Sequence, residues 1–362
     1  MNTLHNQLQL EQRLAQVVET YSARVDTCEV QFALASPGRN WYWESASPRG
    51  ASLYYIASAT KLYVTALIMQ LRSEGRLDLD APAARYLEPS IMEGIHRLRN
   101  VDSSNAITVR QLLSHTSGIA DYFEQRRTDG SSQYKECLKC DFGWSFEDVL
   151  RITKEQLSPS FLPGTPGKAF YSDTNYQLLG AIIEHLEGVC YEQALLQRIL
   201  YPLGLTETTS FTNDTITRYH NIAPMLFGKK PLTIPLAMAS VRADGGIVST
   251  ASDGIIFLKA FMRGELFPAH YLDEMQRIWN PIFPPLDYGI GLMRFALPRY
   301  YTLFMQMPPM IGHSGASGAL LYYVPQLDLY ISGTVNQIKQ RNLSYNLMVR
   351  LVIIVMQALK KA

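Results

Sequence analysis

The chain contains no GxSxG, no HExxH and no Walker A sequence, which removes the α/β-hydrolase elbow, the zincin helix and the phosphate-binding loop. No internal repeat and no low-complexity linker separates independent units, so repeat architectures and tethered modules are excluded. Charge of either sign is never concentrated: 33 Lys and Arg against 32 Asp and Glu leave a net +1, and nucleic acid or an anionic membrane is not an expected partner. Cysteine is scarce. Of Cys28, Cys137, Cys140 and Cys190, only Cys137 and Cys140 form a CxxC, with no second pair and no nearby histidine, so neither a metal nor a redox role is expected there.

The N-terminal stretch "MNTLHNQLQLEQRLAQVVETY" has no apolar core followed by a small-residue cleavage site. Leu4, Leu8, Leu14, Val18 and Tyr21 predict an amphipathic helix lying on a core. Near the other end, "LMVRLVIIVMQAL" is too short for a membrane span and carries Arg350, so a buried terminal helix is expected. A cytoplasmic location follows as the expectation, or a periplasmic one if a leader has been removed.

With 362 residues, 47% of them hydrophobic, the chain can bury a large core. "EVQFALAS" and "NWYWESAS" flank Pro37-Gly38 and read as a hairpin. "YGIGLMRFAL", "GALLYYV" and "LDLYISGTV" read as strands near the other end, the last two joined by Pro325-Gln326. Helical patterns fill the middle, among them "NYQLLGAIIEHLEG" with Gly188 as its stop. The expected fold is α/β of the α+β type: an antiparallel sheet built from both chain ends and flanked by terminal helices, with a mostly helical inserted lobe. One catalytic unit is expected over 1–362, with residues 1–80 and 230–362 forming the α/β lobe and 81–229 the helical one.

Against this background "YYIASATKLYVTALIMQL" (residues 54–71) stands out. A helix here is apolar nearly all round, yet carries Lys61, three residues after Ser58. A buried ammonium is costly unless paired, neutralised or used. Ser58 and Lys61 share one helical face, and a desolvated lysine can be neutral enough to activate a serine hydroxyl. "SQYK" repeats the spacing at Ser132 and Lys135 in a polar stretch, where the lysine is expected to stay solvated. Context therefore selects Ser58.

Two further segments carry a resemblance. "PGKAFYSDTNYQLLGAIIEHLEG" places Tyr171 just before a helix, and "GHSGASGALLYYV" places His313, Ser314 and Gly315 at the start of a strand. Together with "SATK", and with "LLSHTSGI", "FLPGTPG", "ILYPLGLTET" and "ADGGIVSTASD", they resemble class C β-lactamases, D-alanyl-D-alanine carboxypeptidases and their esterase and D-aminopeptidase relatives. The resemblance runs from about residue 50 to 335 and implies the β-lactamase/transpeptidase-like fold. It makes Ser58 the acylated nucleophile and Lys61 its proton partner. Tyr171 is then the tyrosine of Tyr-x-Asn, sharing acid/base work, with its ionised form favoured beside an ammonium. The N–H groups of Ser58 and Ala316 are implied as the oxyanion hole. Gly315 is read as letting a substrate approach the strand edge, His115 as part of a hydrogen-bonded turn, and Asp253 or Ser252 as a helix cap.

Two positions depart from the β-lactamase pattern. Asp173 stands where Tyr-x-Asn ends, and is read as holding an amine of the substrate or capping the following helix. His313 replaces the lysine of Lys-Thr-Gly, which removes a fixed positive charge. The expected function is a serine hydrolase acting through an acyl-enzyme on small esters or amides, without metal or cofactor. Substrate contacts are expected from Asp173, His313, Ser314 and Gly315. The alternatives are a penicillin-recognising D-alanyl-D-alanine carboxypeptidase or weak class C-like β-lactamase, and a non-catalytic binding protein retaining the fold. Oligomeric partners are left open.

Overall fold

The computed structural model describes residues 2–45, 53–298 and 306–360. An eight-stranded antiparallel sheet forms its centre. The strands are β1 (Gln31–Ser36), β2 (Trp41–Glu44), β3 (Asn280–Phe283), β4 (Leu286–Tyr288), β5 (Met293–Phe295), β6 (Met310–Ser314), β7 (Leu320–Val324) and β8 (Leu329–Thr334). Their order across the sheet is β3-β4-β5-β6-β7-β8-β1-β2. The two chain ends meet where β1 pairs antiparallel with β8, Phe32 opposite Gly333 and Leu34 opposite Ile331. The expected sheet from both ends is therefore what forms.

The strand-to-strand details follow local chemistry. Pro37 opens a short 3-10 turn after β1, and Asn40, with φ at 50°, returns the chain so that Ser36 faces Trp41. Ala46 and Ser47 of the expected second strand lie outside the described residues. "YGIGLMRFAL" is not one strand: β4 ends at Tyr288, the chain bends through Gly289–Leu292, and β5 starts at Met293. Gly291, with φ at 68°, sits in that bend, in the left-handed region that a side chain disfavours.

Alternation along β1 sorts its side chains onto two cores. Phe32 and Leu34 face α1 (Asn2–Ser22) and α6 (Asn342–Leu359), with Leu14, Val18, Leu347 and Leu351. Ala33 and Ala35 face the larger core, which contains α2 (Thr60–Ser73), α3 (Asp173–Glu187) and α5 (Ala251–Met262). In α1, Leu14, Val18 and Tyr21 are buried as expected, but Leu8 is exposed because the packed stripe begins further along. The Leu4 side chain lies outside the described residues. Helix α6 is long and apolar enough to cross a membrane, yet Leu347, Leu351 and Val352 pack into the core beside the sheet, and Arg350 lies over the Tyr21 ring.

Helix α2 is buried on every side from Thr60 to Met69, as its composition requires. Helix α3 runs to Gly188, whose φ of 70° closes the last turn. Two capping expectations are corrected. Ser172, in extended backbone, is the residue before α3, and Asp173 is its first helical residue, with no side-chain cap there. At α5 the cap is Thr250, whose hydroxyl accepts from the Asp253 N–H; the Asp253 carboxylate instead accepts from Glu207 N–H and the Thr208 hydroxyl.

Candidate active site

Ser58 sits in a single 3-10 turn, Ala57–Ala59, that runs directly into α2. Ala57 has φ at 47°, a left-handed conformation that costs an alanine about 1–2 kcal/mol. The surrounding contacts hold it: Ile56 N–H donates to Ile247 O at 3.0 Å, and Ala59 N–H to Ile56 O at 3.1 Å. Such stored strain sits where a side chain must be aimed. One turn on, Lys61 is fully buried with Nζ 3.4 Å from Ser58 Oγ.

Lys61 is neither neutral nor idle. Its Nζ donates to Asp173 Oδ1 at 2.6 Å and to the Asp244 carbonyl at 2.7 Å. Burial alone pushes an ammonium toward the neutral amine. Asp173, with Tyr171 and Asp244, more than reverses that push, so the Lys61 pKa lies above the ordinary lysine value. This corrects the expectation of a neutral lysine base: the isolated sequence showed the burial but not the counter-ion.

Tyr171 is corrected in the same sense. Its ring centroid lies 5.1 Å from Lys61 Nζ. Burial raises the phenol well above its usual value, and Lys61 only partly offsets this, because the Asp173 charge pushes the phenol up again. The ring is held against His115 at 4.4 Å and faces the half-exposed Phe283 at 6.0 Å. His115 accepts the Ser172 N–H on Nδ1 at 3.1 Å, which fixes the chain between Tyr171 and Asp173. Burial drives its pKa well down, so it is a neutral support.

Asp173 is not a free carboxylate facing the cleft. It is almost wholly buried, its Oδ1 belongs to Lys61, and its own N–H donates to Asp121 Oδ1 at 2.9 Å. The amine-holding role is thereby corrected: the charge is already spent inside the protein. His313 is likewise turned inward. Nδ1 donates to the Ser314 carbonyl at 2.8 Å and Nε2 lies 3.0 Å from Tyr288 OH. Burial, helped by Lys61, lowers its pKa to about 3, so it carries no charge at neutral pH.

The His-Ser-Gly segment ends a strand rather than starting one. β6 stops at Ser314, and a turn closed by Gly315 N–H to Ala319 O and Gly318 N–H to Gly315 O leads to β7. The Ser314 hydroxyl points to Tyr345 OH and Met293 Sδ, away from the serine turn, so its side chain is not a substrate contact. At Gly315 a Cβ would lie 2.1 Å from the Ile56 carbonyl: what approaches this glycine is the backbone before Ser58 rather than a substrate. The buried Ser317 hydroxyl donates to Tyr55 O at 2.6 Å and ties the same two segments together. Among the described residues no backbone carbonyl takes the N–H of Ser58 or of Ala316.

Sequence reasoning overlooked Asp244, Tyr288 and Asp121. Asp244 lies in "ADGG", where the glycine pair gives no catalytic signal; its carboxyl accepts from Tyr122 OH and Gln177 while its carbonyl takes Lys61. Tyr288 comes from a strand end with no signal beyond one aromatic residue. The competing "SQYK" is a helix start: Ser132 Oγ accepts the Lys135 N–H, and Lys135 Nζ turns out to the Gly130 carbonyl.

A strained serine turn, a lysine one turn later and a tyrosine just ahead of a second helix, set beside an antiparallel sheet, define the active-site-serine class that includes penicillin-binding proteins. The chain belongs to the Beta-lactamase family, which matches residues 14–350. It is 26% identical to a D-stereospecific amidohydrolase from Streptomyces sp., over 91% of this chain and 95% of that one, with a TM-score of 0.71. It shares the fold of a D-amino acid amidase from Ochrobactrum anthropi SV3, with a TM-score of 0.75 at 22% identity over 98% and 99% of the two chains. It is also 27% identical to penicillin-binding protein 4 of Amycolatopsis lactamdurans over 60% of this chain and 52% of that protein. The chain spans about half the length of the curated relatives it matches.

Proposed function

We propose that the protein is a serine hydrolase that cleaves small esters or amides through an acyl-enzyme on Ser58. The observation that carries this reading is the buried Lys61 Nζ, 3.4 Å from Ser58 Oγ and fixed by two further acceptors. A fully buried ammonium aimed at a hydroxyl is costly to keep for packing alone. Ser58 attacks the carbonyl, Lys61 and Tyr171 manage its proton, and the N–H groups of Ser58 and Ala316 receive the developing oxyanion.

The substrate class follows from charge. Among the described residues, Lys61 and Asp173 pair with each other and His313 is neutral, so none of these three offers a free charge to a substrate carboxylate or amine. Neutral acyl groups are therefore the best substrates, ahead of penicillins. The test is intact-mass analysis after a fluorophosphonate, together with hydrolysis of short p-nitrophenyl esters and nitrocefin. One adduct is expected, absent in Ser58→Ala, with every ester that turns over exceeding nitrocefin in kcat/KM. An adduct that survives Ser58→Ala would sink the assignment, and nitrocefin outrunning all esters would reverse the substrate ranking.

A further inference from the structure

Lys61 enters the site as an ammonium, and an ammonium has no lone pair with which to accept the Ser58 proton. Tyr171 enters as a neutral phenol. Neither group implied as the base can therefore take a proton in its resting form, and the protein must supply an acceptor elsewhere. Asp173 stands at 2.6 Å from Nζ, its side chain 10% exposed against 0% for Lys61.

We infer that Asp173 Oδ1 is the terminal proton acceptor of acylation, so that the reaction runs through a relay from Ser58 to Lys61 to Asp173, with Tyr171 alongside. This rests on Ser58 being the nucleophile. A proton moves from Nζ to Oδ1, turning ammonium and carboxylate into amine and carboxylic acid with no change in net charge. The freed Nζ lone pair takes the Ser58 hydroxyl proton, directly across 3.4 Å or through the Tyr171 phenol. As that O–H bond breaks, the Oγ–C bond forms and the carbonyl π pair moves onto oxygen. The site then holds ammonium, neutral Asp173 and an oxyanion, the same net charge as at the start. When the carbon–leaving-group bond breaks, the ammonium protonates the leaving group and Asp173 returns its proton to Nζ.

The surroundings suit a neutral exchange. The Asp244 carbonyl holds Nζ in either state, accepting from ammonium or amine. The Asp121 carboxylate takes the Asp173 N–H, and so fixes the helix start that aims Oδ1. Shuttling a proton along one short bond creates no new isolated charge in a dry site, whereas exporting it to water does.

The experiment compares wild type with Asp173→Asn, in which Oδ1 still accepts from Nζ but cannot be protonated there. The acylation rate is measured from the p-nitrophenol burst between pH 6 and 9, and in mixtures of H2O and D2O. The other titratable groups facing the pair include Tyr171, Tyr176, Tyr122 and Tyr288, His115 and His313, and the carboxyls of Asp244 and Asp121. The phenols and the Asp244 carboxyl are pushed up and the histidines down, all by burial first. Asp121, raised to about 7 by burial and by Asp173, is the one that changes charge in this range. Because the Asp173 charge is part of that cause, the ratio of variant to wild type is read in an Asp121→Asn background as well, where this titration is absent.

Without its counter-ion, buried Lys61 must lose its own proton before it can act. The ratio should rise at least ~10-fold from pH 6 to pH 8, with KM little changed, and the wild-type plot against deuterium fraction should bow as two protons move, becoming linear in Asp173→Asn. A ratio independent of pH with identical isotope plots would overturn the relay while leaving Ser58 as the nucleophile. Should the variant not fold, a linear wild-type plot overturns it equally. No burst and no Ser58 adduct in wild type would remove the hydrolase reading itself, and the relay with it.

Discussion

Tyr288, at the end of β4, and His313, in β6, form a buried pair across the intervening β5, the phenol oxygen 3.0 Å from Nε2. Because Nδ1 already donates to the Ser314 carbonyl at 2.8 Å, Nε2 is the acceptor and Tyr288 the donor. Both ring nitrogens are used, and a protonated ring would add a second positive charge to a buried site that already holds Lys61. That is why burial and Lys61 hold the His313 pKa at about 3.

The consequence is acid lability with a defined sign. Unfolded, His313 binds a proton near pH 6.5; folded, it does not until about pH 3. The unfolded state therefore holds more protons in that window. The contribution is full above pH 6.5 and is lost as pH falls, at about 1.4 kcal/mol per pH unit. Urea unfolding at pH 7 and pH 5 should show this slope reduced by about one proton's worth in His313→Asn. An unchanged slope would mean that His313 is not held neutral.

Ser317→Ala should reveal what places the Ala316 N–H. The hydroxyl bond to Tyr55 O is one of the ties between the Ala316 turn and the chain leading to Ser58. Its loss should lower kcat by ~10-fold or more while KM and far-UV circular dichroism stay near wild type, since an oxyanion donor acts only as charge develops. A purely structural serine would instead lower the melting temperature and leave kcat per folded molecule unchanged.

Lys61→Met and Tyr171→Phe should each reduce kcat by at least ~10²-fold. The two losses should be far from additive, as for groups that act as one unit. Lys61→Met also strands buried Asp173 without its counter-charge, so the variant should be less stable than wild type, by about 3–5 kcal/mol in urea unfolding at pH 8. Full additivity in the double variant would show that lysine and tyrosine work independently.

Ser132→Ala provides the control for the duplicated spacing. Ser132 caps the Gln133–Cys137 helix, so its loss should cost about 1 kcal/mol in chemical denaturation. Esterase activity and Ser58 labelling should be retained. Loss of labelling in this variant would show that the polar copy contributes to the chemistry.

Local pattern was enough for much of this protein. The hairpin at Pro37-Gly38, the stop at Gly188 and the wholly buried α2 all follow from propensity and periodicity, which act over a few residues. The separation of Ser58 from Ser132 was legible too, because a lysine in an apolar run and a lysine in a polar one differ in solvation before any fold is known. What tertiary structure decided was protonation and direction. Lys61 reads as a neutral base until Asp173, 112 positions away, is set at 2.6 Å from it. His313 and Asp173 read as substrate contacts until Tyr288 and Lys61 claim them. Gly315 reads as room for a ligand until the Ile56 carbonyl fills it. A pKa depends on which charges lie within a few ångströms and on the loss of water around them. Neither quantity exists in a chain until distant segments are packed together.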